Sequence, residues 1–241
     1  RLANSAYMRG GGEVDSLHDA ALRIGSRSLR QLIFSMRLIN AANSLAPGFD
    51  WTHLWKHNFA TSVLAVDLQT IFGMESHFTG GIGLIHDLGK VILSDLYPAE
   101  YAAIVQRAYD HRSAMGEEEQ RVFGISHEEV GAQYVVHYGF AREIQEALLY
   151  QNTPAEAPTH RAAAALLQLA NYFAKLHGLG YSGDRRYLDQ EYDQLPGWRV
   201  LLEEAGADQK LMIERYENYL RSSLRSSLAK ARHQVDAMFG R

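Results

Sequence analysis

Apolar residues recur at three- and four-residue steps along almost the whole chain. Leu29, Leu32, Ile33, Met36 and Ile39 form one such stripe and Val130, Tyr134, Val135 and Tyr138 another, each the face of an amphipathic helix. No run shows the alternation of a half-buried strand. Gly10-Gly11-Gly12, Ala46-Pro47-Gly48, Pro154 to Pro158 and Gly178 to Gly183 interrupt the pattern as breakers between helices. The prediction is an all-α fold of roughly ten helices.

The pattern changes after Gly183, where Asp184-Arg185-Arg186 and Asp189-Gln190-Glu191 make a polar connection to Pro196-Gly197-Trp198. Beyond it Met212, Tyr216, Leu220, Leu224, Leu228, Ala231, Val235 and Met238 line one side of a long amphipathic helix. That stripe needs a covering surface. Packing back onto the domain is the simplest one; a homodimer interface and a lead into another domain are the alternatives. The expected division is therefore a domain over 1–183 and a C-terminal helical extension over 184–241 packed on it.

Composition narrows the function classes. With 241 residues, of which 46% are hydrophobic and 22% charged, the chain can build a substantial core. A net charge of -4 makes nucleic acid an unexpected partner. Without cysteine there is no disulfide, thiolate chemistry or Cys-ligated zinc. Apolar runs fall far short of the roughly 20 residues of a membrane span, so a cytoplasmic protein without a membrane partner is expected. The opening Arg1-Leu2-Ala3-Asn4-Ser5-Ala6-Tyr7 reads as the interior of a structured segment, with further sequence expected upstream.

The sharpest local feature is Gly83-Leu84-Ile85-His86-Asp87-Leu88-Gly89-Lys90, an adjacent His and Asp closing an apolar helical run between glycines. A carboxylate placed there needs compensation. Imidazole beside carboxylate is a ligand set for Mn, Fe, Ni or Zn, and the glycines let backbones approach closely. His57 lies on the preceding predicted helix, where antiparallel packing brings it to His86. Asn171 sits on a later helix among small and apolar neighbours.

These positions resemble the H…HD…D signature of HD-superfamily phosphohydrolases, with Asn171 in place of the last carboxylate. The resemblance narrows through Leu2-Ala3-Asn4-Ser5-Ala6, then Ala20-Ala21-Leu22-Arg23-Ile24-Gly25, then Glu119 to Ala132 with Ser126-His127-Glu128-Glu129. In order and spacing these are similar to the HDOD family, over about residues 1–180. That resemblance implies an HD-like helical bundle, found in bacterial signalling proteins beside receiver, GGDEF or other regulatory domains, with no general catalytic activity.

The related HD-GYP phosphodiesterases hydrolyse cyclic di-GMP. His57, His86, Asp87 and His127 match their ligand positions. The paired histidines near the next helix end, however, read Tyr150-Gln151, the Gly-Tyr-Pro motif is absent, and the final Asp is Asn171. A neutral amide oxygen anchors a divalent cation less well than a carboxylate, and a two-metal clamp loses further ligands. The expected remnant site is His57, His86, Asp87, Asn171 and His127, with no catalytic residue. His57, His86 and Asp87 would hold one divalent metal weakly or none.

The same residues also read as a hydrogen-bonded cluster kept for packing, and His127 as the entry to a helix capped by Ser126 or by itself. Lys90 reads as a solvated or helix-terminal lysine rather than a phosphate ligand. His53, His77, His111, His137, His160, His177 and His233 match no ligand spacing, and the Tyr and Trp residues are expected in the core. The expected function is a non-enzymatic signalling module acting through protein contacts with signalling proteins or upstream domains. A metal-dependent phosphohydrolase and a cyclic-nucleotide receptor without cleavage are the alternatives.

Overall fold

The computed structural model describes residues 49–74, 81–183, 188–206 and 209–239, the last with side chains from 221 onward. The stripe Leu29 to Ile39, the breakers at 10–12 and 46–48, the motif residues 2–6 and 20–25, His77, Asp184 to Arg186 and the side chains of Met212, Tyr216 and Leu220 lie outside the described residues. Among the described residues every regular element is helical, as the apolar spacing predicts.

Helix α1 (Trp51–Ile71) starts at Asp50, whose carboxylate accepts from the His53 amide at 2.9 Å. Its buried residues, from Leu54 and His57 to Val63, Leu64 and Leu68, lie around most of its circumference. It is accordingly the central helix, covered on several sides. Helices α2 (Gly81–Ile85) and α3 (Leu88–Leu96) follow, separated by the turn that carries His86 and Asp87. α4 (Pro98–His111) opens on a proline at its first position, and α5 (Met115–Phe123) ends on Gly124 at φ 70°.

α6 (His127–His137) begins with a capping box. Ser126 accepts from the Glu129 amide at 3.4 Å and the Glu129 carboxylate accepts from the Ser126 amide at 2.8 Å, an arrangement worth about 1 kcal/mol. Ser126, and not His127, is thus the cap. After α7 (Arg142–Leu149) and a 3₁₀ turn (Pro154–Glu156), α8 (Arg161–Leu176) packs its alanine- and leucine-rich face on α1. α9 (Pro196–Glu204) packs on α8, with the Gly197 amide donating to Gln168 Oε1 at 2.7 Å.

The 31-residue α10 (Gln209–Phe239) lies along α1. Ala231 and Val235 are buried there, Lys230 meets Asp67 at 2.6 Å, and Phe239 stands edge-on to Phe59. The described half of the C-terminal stripe therefore packs back on the domain.

Two glycines decide how closely the helices flanking the His-Asp turn can approach. A Cβ on Gly83 would sit 2.4 Å from the Ser62 amide nitrogen of α1, and one on Gly89 would sit 2.0 Å from the His127 carbonyl of α6. Only hydrogen fits in either gap. The turn is thereby clamped between α1 and α6.

Candidate functional site

The clamp brings His57, His86 and Asp87 together in the interior, with Asn171 of α8 at the edge of the cluster. His57 and His86 are fully buried and Asp87 is 1% exposed. The two imidazole centroids are 5.4 Å apart, so antiparallel α1 and α2 pair them as the spacing predicts. His57 donates its Nε2 hydrogen to Asn171 Oδ1 at 3.0 Å, and its Nδ1 has no hydrogen-bond partner. Burial, reinforced by His86, keeps the His57 imidazole neutral.

His86 donates from Nδ1 to the Gly83 carbonyl at 2.7 Å, which leaves Nε2 as a lone pair while burial favours the neutral ring. That lone pair lies 3.4 Å from Asp87 Oδ2, and neither atom has a hydrogen-bond partner. Two buried acceptors thus face one another. Burial opposes ionisation of Asp87, but the surrounding positive charge, the Lys90 ammonium foremost and the His127 imidazolium beside it, holds its carboxyl below the usual range.

Lys90 departs from the sequence expectation. It is 1% exposed rather than solvated, sits in the first turn of α3, and its Nζ lies 2.9 Å from Asp87 Oδ1 while donating to the Ser182 carbonyl at 2.7 Å. Asp87 occupies the N-cap position of α3, yet its side chain makes no cap bond and turns to this ammonium one helical turn on. Breaking such a buried pair from one side costs about 3–5 kcal/mol, because the remaining charge is left uncompensated.

His127 joins from the other side without entering the first set. Its Nδ1 donates to Glu119 Oε2 at 2.6 Å, and Nε2 stands 3.6 Å from Asp87 Oδ1. Burial disfavours its charge, but Glu119 and Glu128 outweigh it and raise its pKa, so the imidazolium is favoured. The other Glu119 oxygen accepts from Tyr101 Oη at 2.8 Å, and Glu128 accepts from Asn152. Glu119, His127 and Glu128 therefore form a neighbouring cluster linked to the His-Asp pair through Asp87. Glu119, Tyr101 and Lys90 are participants that sequence reading missed.

Gln151, standing where a histidine pair is found in HD-GYP sequences, is 2% exposed and donates its amide to the carbonyls of Leu148 and His86 at 3.2 and 3.4 Å.

A family model described as the HDOD domain matches residues 1–154 of the chain. The chain belongs to the HDOD family. Its fold is similar to that of an HDOD domain protein of unknown function from Geobacter sulfurreducens, with a TM-score of 0.76 and 25% identity over 98% of this chain and 78% of that one. A protein from Shewanella amazonensis SB2B, provisionally named a phosphohydrolase, shares the fold with a TM-score of 0.58 and 20% identity over 91% of this chain and 77% of that one. A protein from Marinobacter aquaeolei VT8, provisionally named a signal transduction protein, does so with a TM-score of 0.60 and 21% identity over 95% of this chain and 51% of that one. No protein with a curated description matches. No helix among the described residues is long and apolar enough to cross a membrane.

HD-type relatives can hold a divalent metal, and the donors of this HDOD chain fit one ion. His57, His86 and Asp87 offer ligand atoms within 4.8 Å of one another, and the orphaned His86 Nε2 and Asp87 Oδ2 converge. The Nδ1–Gly83 bond of His86 is the outer hydrogen bond that orients a ligating imidazole. Glu119, His127 and Glu128 also offer ligand atoms within 4.8 Å of one another, whereas Tyr150 and Gln151 add no histidine.

Proposed function

We propose that this HDOD chain is a non-enzymatic regulatory module that works through contacts with signalling proteins, on a scaffold inherited from metal-dependent phosphohydrolases. The observation that carries the reading is the closure of the pocket by its own residues. His57 is engaged by Asn171, Asp87 by Lys90, and Gln151 by the backbone, all at 2% exposure or less except Asn171 at the edge of the cluster. A phosphodiester reaching the His-Asp pair would have to displace these groups.

Apolar side chains at the surface support contact with a protein. Val136 and Leu149 are exposed and line a cleft of about 400 Å³ between α6 and α7, with Gln133, Arg142 and Tyr150 around it. A mixed apolar and polar rim of this kind suits a protein partner.

The facing His86 Nε2 and Asp87 Oδ2 favour a second reading, a mononuclear metal-dependent phosphohydrolase. His57, His86 and Asp87 would hold the ion, with Asn171 in the outer sphere, and the ion would supply Lewis acidity to a phosphoryl oxygen. Weak retention is expected, since the set carries one anion and that anion already faces an ammonium.

The discriminating experiment measures the divalent-metal content of untagged protein grown with Mn and Fe, followed by turnover of phosphodiesters with added Mn. Less than about a tenth of an equivalent and no turnover is the expected result. Metal-dependent turnover that disappears in folded His86→Ala and Asp87→Ala variants would overturn the regulatory reading. Saturable binding of a cyclic dinucleotide without product would instead make the pocket a receptor site.

A further inference from the structure

Helix α10 lies antiparallel on α1, since Lys230 pairs with Asp67 at 2.6 Å towards one end of the contact and Phe239 stands against Phe59 at the other. Gln234 falls one turn beyond Lys230, between these two anchors, and is buried. Neither its Oε1 nor its Nε2 has a hydrogen-bond partner. Asp67 adds a third unbonded atom to the seam, because Lys230 donates to Oδ1 and the buried Oδ2 is left without a partner. The apolar side chains fully buried along this stretch of α10 are small, Ala231 and Val235.

Other seams of the domain satisfy the amides they bury. Gln168 donates to the Asn152 carbonyl at 3.0 Å and accepts from the Gly197 amide at 2.7 Å, which ties α8 to α9. Gln151 donates to two carbonyls. Among the described residues Gln234 is thus the buried glutamine whose amide is bonded at neither end. An amide orphaned by docking recovers its partners in water as soon as the helix lifts, so it opposes docking by a factor of about ten to a hundred. Gly206, at φ 62° and with open space where a Cβ would stand, ends α9 just ahead of α10 and gives the helix a joint.

We propose that α10 is a releasable arm, held weakly on α1 because the Gln234 amide is unbonded there, and that it leaves as a unit while α1 to α9 stay folded. Release bares Phe59 on α1 and Ala231, Val235 and Phe239 on the arm, and returns Gln234 and Asp67 to water. The domain thereby has two states that differ in the place of one helix, with the buried His-Asp site intact in both. This goes beyond the regulatory reading and holds whether or not that site binds a metal or turns over a substrate.

The test is amide hydrogen exchange of the full chain at rising urea concentrations, comparing residues 224–238 of α10 with residues 164–174 of α8. In the wild type the α10 amides are expected to exchange at one common rate, about tenfold or more above that of α8. Their urea dependence should be smaller, because release exposes less surface than global unfolding. Gln234→Met keeps the side-chain length and the helix propensity and removes both orphaned atoms. It is expected to slow the α10 amides by about tenfold or more, and Gln234→Leu should act in the same direction.

Three results would each overturn the arm. Amides of α10 that share the rate and urea dependence of α8 would mean that the helix leaves only on global unfolding. Rates that climb steadily towards Phe239 would mark the fraying of a helix end. Rates unchanged in both Gln234 variants would mean that the amide does not weaken the seam. Failure of the regulatory reading would show instead as phosphodiester turnover, a separate readout.

Discussion

His57 donates to the amide oxygen of Asn171 at 3.0 Å, joining α1 to α8 across 114 residues of sequence. The pair is satisfied as two neutral groups, and that neutrality determines how the site treats a cation.

Replacing Asn171 by Asp should therefore tighten metal binding. A carboxylate in that place adds a second anion beside Asp87, and the affinity for Mn²⁺ measured by titration calorimetry is expected to rise about tenfold or more. Indifference of the Mn²⁺ affinity to Asn171→Asp would count against any ion being held between α1 and α8.

The glycine before Lys90 should tolerate nothing larger. Gly89→Ala drives a methyl group into the His127 carbonyl and is expected to cost about 3 kcal/mol or more in urea unfolding, at the upper end of overpacking effects. Gly124→Ala is the control, because Gly124 has a positive φ but open space around it, and its cost should stay near 1 kcal/mol.

Glu146 gives a dependence on pH. Burial opposes its ionisation, but the amides of His160 and Thr159 at 2.8 and 2.9 Å, together with Arg142, lower its pKa. A carboxyl with a depressed folded pKa contributes stability that is present above its unfolded value, about 4.3, and lost as the pH falls through the folded one. Glu146→Gln should thus lower stability by about 1–2 kcal/mol at pH 7. The gap to the wild type should close progressively below about pH 4, as followed by thermal unfolding across a pH series.

The attachment of the last helix can be tested at one residue. Ala231 is fully buried where α10 meets α1, and Ala231→Glu would put an unpaired carboxylate there. Limited proteolysis is expected to release α10 in the variant at protease levels that leave the wild type intact. Equal resistance would mean that Lys230–Asp67 and the neighbouring apolar contacts hold the helix without Ala231.

The helical architecture was legible because the apolar spacing repeats over long segments, and the His-Asp turn because glycines flank it. His57 was legible from its place on the helix before the His-Asp turn, and Asn171 through the resemblance, since nothing in local spacing pairs it with His57. Lys90 was misread for a physical reason: most lysines are solvated, and its acceptor Ser182 is remote in sequence. One signal was present, as Lys90 is the sole basic residue in the apolar helix Leu88–Leu96 and stands one turn after Asp87. Glu119 was obscured in the acidic run Glu117-Glu118-Glu119, since such a run resembles a solvated surface, although Tyr101 and His127 draw Glu119 inward.

Helix α1 carries His57 on the side facing Asn171 and Asp67 on the side facing α10. At 21 residues it is a rod about 30 Å long. Because it is one rigid element, a torque applied to the C-terminal helix and a displacement at the His-Asp turn act on the same body. The buried site and the C-terminal helix therefore share one backbone support, with His57 and Asp67 about 15 Å apart along it.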